Sequence, residues 1–289
     1  MRTDGIFTIH SQCLQVKLDV PIRVIPIGDI HFDSELHADY EFDELLRYIE
    51  ALKDKYYLLG MGDYNDFVRA HDRAFLKGVE SGNIVKALND YTIQANDNFY
   101  EKMEATKGKW IGLMSGNHHS YILNSKRGAE EKIHSDKALA DMFKCKYLGT
   151  CSKITLTLTS GKQSADVGII AHHGVGGGST PGGSINRVKN MLDAWDADIA
   201  LMGDNHQRSV TPVRDKLKTT RRNSEDILYH QTQWVARTGS FQRGYVPDVE
   251  SYVVDKALNP SSMGWIEFEF TLKVDPRTRL PYVKIRAIQ

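Results

Sequence analysis

The sequence predicts an α/β fold in which buried strands are layered against helices. Three observations carry this expectation. Apolar runs of strand length recur along the chain, stretches with helical periodicity lie between them, and no linker divides the 289 residues. A single domain over residues 1–289 is therefore expected, with a β-rich C-terminal portion from about residue 227.

The strand candidates, in order, are residues 13–18 (CLQVKL), 22–27 (IRVIPI), 56–60 (YYLLG), 110–114 (WIGLM), 153–159 (KITLTLT), 166–171 (DVGIIA) and 198–203 (DIALMG). Residues 227–238, 264–272 and 281–287 follow, so the last sixty residues read as nearly all strand, either a second sheet or an extension of the first. Helices are expected over 39–54, where Tyr40, Leu45, Ile49 and Leu52 fall near helical spacing, and over 84–107, where Ile84, Leu88, Tyr91, Ala95 and Phe99 form one stripe. Residues 135–144 and 184–195 complete the helices, the latter with Ser184 as a cap. GVGGGSTPGG (174–183) reads as a flexible loop, either an ordinary mobile connection or a lid over a site, and no G-K-[ST] follows to make it a P-loop.

Composition narrows the function classes. The 37 basic residues balance 37 acidic ones, so the total charge steers the chain toward neither nucleic acid nor a membrane surface. No apolar run reaches membrane-spanning length, and the N-terminus lacks the basic start and apolar core of a signal peptide. Cys13, Cys145 and Cys151 are sparse and badly spaced for zinc, which fits reduced thiols in a cytoplasmic protein.

The chemistry-bearing residues fall immediately after apolar runs, where ligands of α/β sheets bind. Asp29 and His31 follow the strand 22–27 in IPIGDIHFD, two residues apart, as alternation along an extended chain would aim both to one side. Asp63 follows Gly62 in LLGMGDYND, with Asp66 in the same turn. Asn117, His118 and His119 follow the strand 110–114; His172 and His173 follow 166–171; Asp204 and His206 repeat the D-x-H spacing after 198–203. Each block alone is an ordinary turn. Five in succession, all rich in oxygen and imidazole donors, point to a metal site of mixed O and N preference.

The order D-x-H, G-D, G-N-H, H and then a last D-x-H resembles the calcineurin-like metallophosphoesterases. The resemblance covers Asp29 to His206, and the overall look is similar to bacterial and phage-encoded members related to the SbcD-type nucleases. It implies two facing mixed sheets flanked by helices in four layers, and two divalent metal ions. By position, Asp29, His31, Asp63 and His206 hold the first ion; Asp63 bridges; and Asn117, His172 and Asp204 hold the second. His172 is preferred over His173 because the family's ligand ends its strand. His118 is implied beside the phosphate as the acid, not as a ligand. Asp204 stands where the family has histidine, a harder ligand that favours Mn²⁺, Fe or Mg²⁺, with Zn²⁺ also open. In a second register, His206 followed by Gln207 moves to the second ion.

The implied reaction is hydrolysis of a phosphate ester by a metal-bridging hydroxide. A phosphodiesterase or nuclease is favoured, on DNA or RNA. A phosphomonoesterase and a non-catalytic scaffold are the alternatives, the scaffold kept open by Asp204. The run RSVTPVRDKLKTTRR, with Arg208, Arg214, Lys216, Lys218, Arg221 and Arg222, starts just past the last block; it reads first as a solvated face, with a phosphate-backbone track flanking the site as the alternative.

Overall fold

The structure is a computed structural model, and it describes residues 5–67, 82–126, 129–174, 181–222, 225–260 and 262–289. In chain order the elements are β1 (Phe7–Gln15), β2 (Ile22–Ile27), α1 (Asp39–Leu52), β3 (Tyr56–Gly60), α2 (Gly82–Met103), β4 (Trp110–Leu113), β5 (Tyr121–Lys126), β6 (Ala129–His134) and α3 (Ser135–Phe143). They continue with β7 (Lys146–Tyr147), β8 (Cys151–Ser160), β9 (Gln163–His172), α4 (Pro181–Ala194), β10 (Ile199–Met202), β11 (Arg208–Arg222), β12 (Glu225–Thr238), the short α5 (Tyr252–Asp255), β13 (Glu267–Val274) and β14 (Pro281–Ile288).

Two six-stranded mixed sheets face each other, in the orders β1-β8-β9-β10-β12-β11 and β14-β13-β2-β3-β4-β7. The apolar runs alternate between two buried faces, which is why they read as continuous. Val24, Leu59 and Ile111 point into the space between the sheets, against Leu156, Ile169 and Leu201 of the facing sheet. Their neighbours Ile25, Leu58 and Trp110 point outward, under Phe42, Leu45 and Ile49 of α1, Phe99 and Met103 of α2 and Phe143 of α3. On the other sheet Ile170, Ala200 and Val235 lie beneath Val188 and Leu192 of α4. The result is four layers, helix–sheet–sheet–helix, as expected. Strands β2, β3 and β4 run parallel, as do β9, β10 and β12, so each sheet presents a group of carboxyl ends.

Several elements depart from the sequence reading. The strand expected at 13–18 begins earlier, at Phe7, and ends at Gln15. The β-rich C-terminal portion is divided: β12 joins one sheet, β13 and β14 join the other, and mostly irregular chain with α5 lies between. Tyr40 is exposed, and α1 buries Phe42, Leu45 and Ile49. The inner face of α2 is Thr92, Ala95, Asn96, Phe99 and Met103, with Tyr91 left half-exposed; the side chain of Ile84 lies outside the described set. Helix α4 starts at Pro181, so Ser184 sits in its first turn instead of capping it, and residues 175–180 of the glycine-rich stretch lie outside the described residues.

The largest departure is β11. It pairs antiparallel with β12 from Arg208↔Thr238 to Arg222↔Glu225, with a bulge between Pro212 and Arg214. Only Trp234–Arg237 of β12 pair with β10. Beyond that point the two strands leave the sheet as a ribbon. The ribbon runs away from the carboxyl end of β10: at the usual strand rise, Lys216 lies roughly 25 Å along the strand from Arg208. Beyond Arg208 at its start, the basic run therefore does not flank the strand ends where Asp204 and His206 lie. Described cations on it are engaged elsewhere, Arg214 with Asp193 at 2.6 Å and Lys216 with Asp196.

Candidate metal centre

The carboxyl ends of β2, β3, β4, β9 and β10 deliver the candidate residues to one place. Asp29 and His31 follow β2, Asp63 follows β3, Asn117 and His118 follow β4, His173 follows β9, and Asp204 and His206 follow β10. Neither D-x-H pair is extended. Asp29 and His31 have φ of 50° and 48°, and Asp204 and His206 have φ of 66° and 55°. Each motif is thus a left-handed residue, a spacer and a second left-handed residue, one copy from each sheet. Asp63 is left-handed too, at φ 52°. Non-glycine residues are rarely held there, and such conformations collect at functional sites because surrounding bonds must enforce them.

Those bonds are visible. The amides of Ile30 and His31 donate to Asp63 O at 2.8 and 3.1 Å, and Asp29 N donates to Gly62 O at 3.0 Å, so the first two turns hold each other. Asp204 N donates to Asp29 Oδ2 at 3.0 Å, which ties the sheets together at the site itself. Asp29 O accepts from Ser240 Oγ at 3.0 Å and from Phe241 N at 2.9 Å. Two glycines make the approach possible. A Cβ on Gly116 would lie 1.8 Å from Asp63 Oδ1, and one on Gly62, whose φ is +98°, would lie 2.7 Å from both Gly116 Cα and His173 Nδ1.

Three carboxylates and three imidazoles converge. Donor atoms of Asp29, His31 and His206 lie within 4.8 Å of one another, and so do those of Asp29, Asp63 and His173. Asp63 Oδ1 accepts from His118 N at 2.8 Å, and its Oδ2 lies 3.2 Å from His173 Nε2. Asn117 Nδ2 donates to Asp204 Oδ1 at 2.8 Å. His173 is fully buried, and its Nδ1 donates to Met61 O at 2.7 Å, which turns Nε2 toward Asp63.

His172 is not part of this group. Ala171 faces the space between the sheets and Ile170 faces α4, so alternation carries His172 to the outer side, where its Nδ1 accepts from Gly174 N at 2.9 Å. His173, the first residue past the strand, is the one brought in. Of the expected residues, Asp29, His31, Asp63, Asn117, Asp204 and His206 are brought together; His173 joins them and His172 lies outside the group.

Asp66, which the sequence places beside Asp63 without assigning it a role, has one in the geometry. Its Oδ1 lies 3.4 Å from His31 Nδ1 and in direct contact with His118 Nδ1. The two rings meet edge-on, with centroids 4.8 Å apart. One carboxylate thus orients both a candidate ligand and the candidate acid. The G-D-Y-N-D spacing was the available signal, since it sets a second carboxylate one turn beyond Asp63.

The electrostatics fit a cation site. Burial, with Asp63 and Asp204 nearby, pushes Asp29 up to about 7 against the pull of His173. Burial disfavours the charge on His173, but Asp63, Asp29 and Asp204 outweigh it and raise the group to about 10. Burial and the neighbouring His31 push His206 down to about 3, leaving the neutral, ligating form. His31 Nε2 and Asp204 Oδ2 are buried without a hydrogen-bond partner among the described residues. A buried cluster of carboxylates with orphaned donor atoms is under-supplied with positive charge, and divalent cations answer that need.

No family model and no curated protein matches the chain. Among solved structures it is similar to a conserved protein of Streptococcus pneumoniae named as a predicted phosphoesterase, at 13% identity and a TM-score of 0.30, covering 92% of this chain and 99% of that one.

Proposed function

We propose that the chain is a two-metal phosphoesterase that hydrolyses phosphodiesters, nucleic acid among the candidate substrates. The observation that carries the reading is the convergence of Asp29, Asp63 and Asp204 with His31, His173 and His206, all but His173 held in left-handed backbone, beside an Asp66–His118 pair. Asp29, His31, Asp63 and His206 would hold one ion, and Asp63, Asn117, His173 and Asp204 the other. When bound, two such ions neutralise phosphate charge and supply a hydroxide near neutral pH.

The chain's own residues do the rest. Asp66 accepts from His118 Nδ1, which leaves Nε2 as the atom offered to the substrate, where it holds a proton for the departing oxygen. Asp66 also fixes the ring of His31, and Met61 O fixes that of His173, so neither ligand ring turns. Asn117 is oriented by its bond to Asp204. No thiol is needed as a nucleophile: Cys13 and Cys151 sit on β1 and β8, and Cys145 packs against the cluster beneath α1, α2 and α3.

The test is hydrolysis of bis(p-nitrophenyl) phosphate and p-nitrophenyl phosphate by protein stripped of metal and then given Mn²⁺. Mn²⁺-dependent cleavage that favours the diester is expected. Preference for the monoester would make the chain a phosphomonoesterase, and turnover of neither would leave a scaffold.

A further inference from the structure

Behind the Asp66–His118 pair lies another carboxylate with no role in metal binding or chemistry assigned above. Asp33 is half-buried, two residues past His31 in the same loop. One of its oxygens accepts the backbone N–H of Asp66, and the other accepts the hydroxyl of Tyr91 on α2. We propose that Asp33, clamped by Tyr91, is the positioning residue that sets Asp66 and, through it, both His31 and His118. The inference rests on the phosphoesterase reading for its consequence in turnover, but not for its geometry.

The turn after β3 shows why such a clamp is needed. Its first half is fixed by backbone bonds, the amides of Ile30 and His31 to Asp63 O and that of Phe32 to Tyr64 O. Past Tyr64 the support changes. Among the described residues the anchors there are Asn65 Nδ2 on Asn96 Oδ1, at 3.2 Å, and Asp66 N on Asp33. Both lead to α2, directly through Asn96 and through Tyr91 by way of Asp33. The helix therefore templates the half of the turn that carries the carboxylate shared by two histidines. A charge-assisted bond on the Asp66 amide fixes where that carboxylate stands. Errors of about 1 Å in the placement of reacting groups cost on the order of a hundredfold in rate. Phe67, buried beside Tyr91 with ring centroids 6.5 Å apart and nearly perpendicular, keeps the tyrosine ring in place.

Asp33→Ala removes the clamp, Asp33→Asn keeps an acceptor for the Asp66 amide, and Tyr91→Phe removes only the hydroxyl. The Mn²⁺-loaded variants are compared on p-nitrophenyl methyl phosphate, whose leaving group needs little protonation, and phenyl methyl phosphate, whose leaving group needs more. For Asp33→Ala, kcat on the phenyl ester should fall at least tenfold further than on the nitrophenyl ester, with KM little changed. Tyr91→Phe should lean the same way by about threefold, and Asp33→Asn should recover most of the loss. In parallel, the side-chain Nδ1–H signals of His31 and His118 are followed by ¹H–¹⁵N spectroscopy in metal-free protein. They should persist in wild type and Asp33→Asn and be lost or shifted in Asp33→Ala. Equal losses on both esters, or imidazole signals indifferent to Asp33, would overturn the proposal. If wild-type protein cleaves neither ester the functional reading fails, while the spectra still decide the clamp; Tyr91→Phe and Asp33→Asn carry the test if Asp33→Ala does not fold.

Discussion

At the scale of single residues, one step along the chain separates a candidate ligand from a bystander. His172 completes the alternation of β9 and lies on the α4 side, whereas His173 is the first residue freed from it and reaches Asp63. Tandem histidines in a sequence cannot be told apart this way unless the strand's last residue and facing are known. His173→Ala should therefore lose at least one equivalent of Mn²⁺ by elemental analysis of dialysed protein, and His172→Ala should keep the wild-type content. The reverse pattern would return the ligand role to His172. The convergence of the D-x-H pairs was legible, but alternation was the wrong reason: left-handed turns, not extended strands, aim them. The cysteines make a separate case. Burial pushes the Cys145 thiol up to about 12 and raises Cys151, while Cys13 is exposed. A thiol-reactive dye at pH 8 should label Cys13 first and Cys145 only after unfolding; rapid labelling of Cys145 in folded protein would contradict this burial.

At the scale of elements, the buried strands were the legible part. β2 and β3 occupy the residues expected of them because both their faces are covered and the apolar run has sharp ends. What stayed hidden was structure that does not bury a continuous apolar run. β11 is a polar, charged strand at the edge of its sheet, so no hydrophobic period marks it. The β5–β6 hairpin is invisible for a similar reason; Asn89 of α2 holds it, with Nδ2 donating to Leu123 O at 2.8 Å and Oδ1 accepting Leu123 N at 3.1 Å. Helix α2 was placed correctly but rotated, because Thr92 and Asn96 face inward to bond the site loops, through Ser120 Oγ and Ser135 O. A polar residue on a buried helix face looks, in sequence, like a solvent position. The ribbon supplies a prediction. Replacing residues 214–232 by a short turn should leave Mn²⁺ content and hydrolysis of small diesters within about twofold of wild type, since the ribbon leaves the sheet on the side away from the centre. A large loss of small-diester turnover would show that the ribbon supports the centre after all.

At the scale of the whole molecule, the centre exists because two sheets meet. Asp29, Asp63 and Asn117 come from one sheet and His173, Asp204 and His206 from the other, and the bond from Asp204 N to Asp29 crosses between them. Metal and fold should therefore be linked. In metal-free protein Asp29 is raised to about 7 by burial and its neighbours, above its ordinary 3.8. A carboxyl raised in this way favours the folded state below pH 3.8, and that contribution is lost as pH rises toward 7. Mn²⁺ replaces the proton, so the stabilisation it gives should grow over the same range. At a hundred times its Kd a single bound ion adds about 2.7 kcal/mol. Thermal melts with Mn²⁺ and with chelator, at pH 5 and pH 8, should show a wider gap at pH 8; an equal gap at both would contradict the linkage.

The most direct measurement is anomalous diffraction at the manganese edge from crystals grown with Mn²⁺. The account predicts two peaks in the cleft between the sheet ends, one against Asp29, His31 and His206 and one against Asn117, His173 and Asp204, with Asp63 touching both. No peak there, or a single peak held by other residues, would contradict the two-metal centre and the phosphoesterase reading built on it.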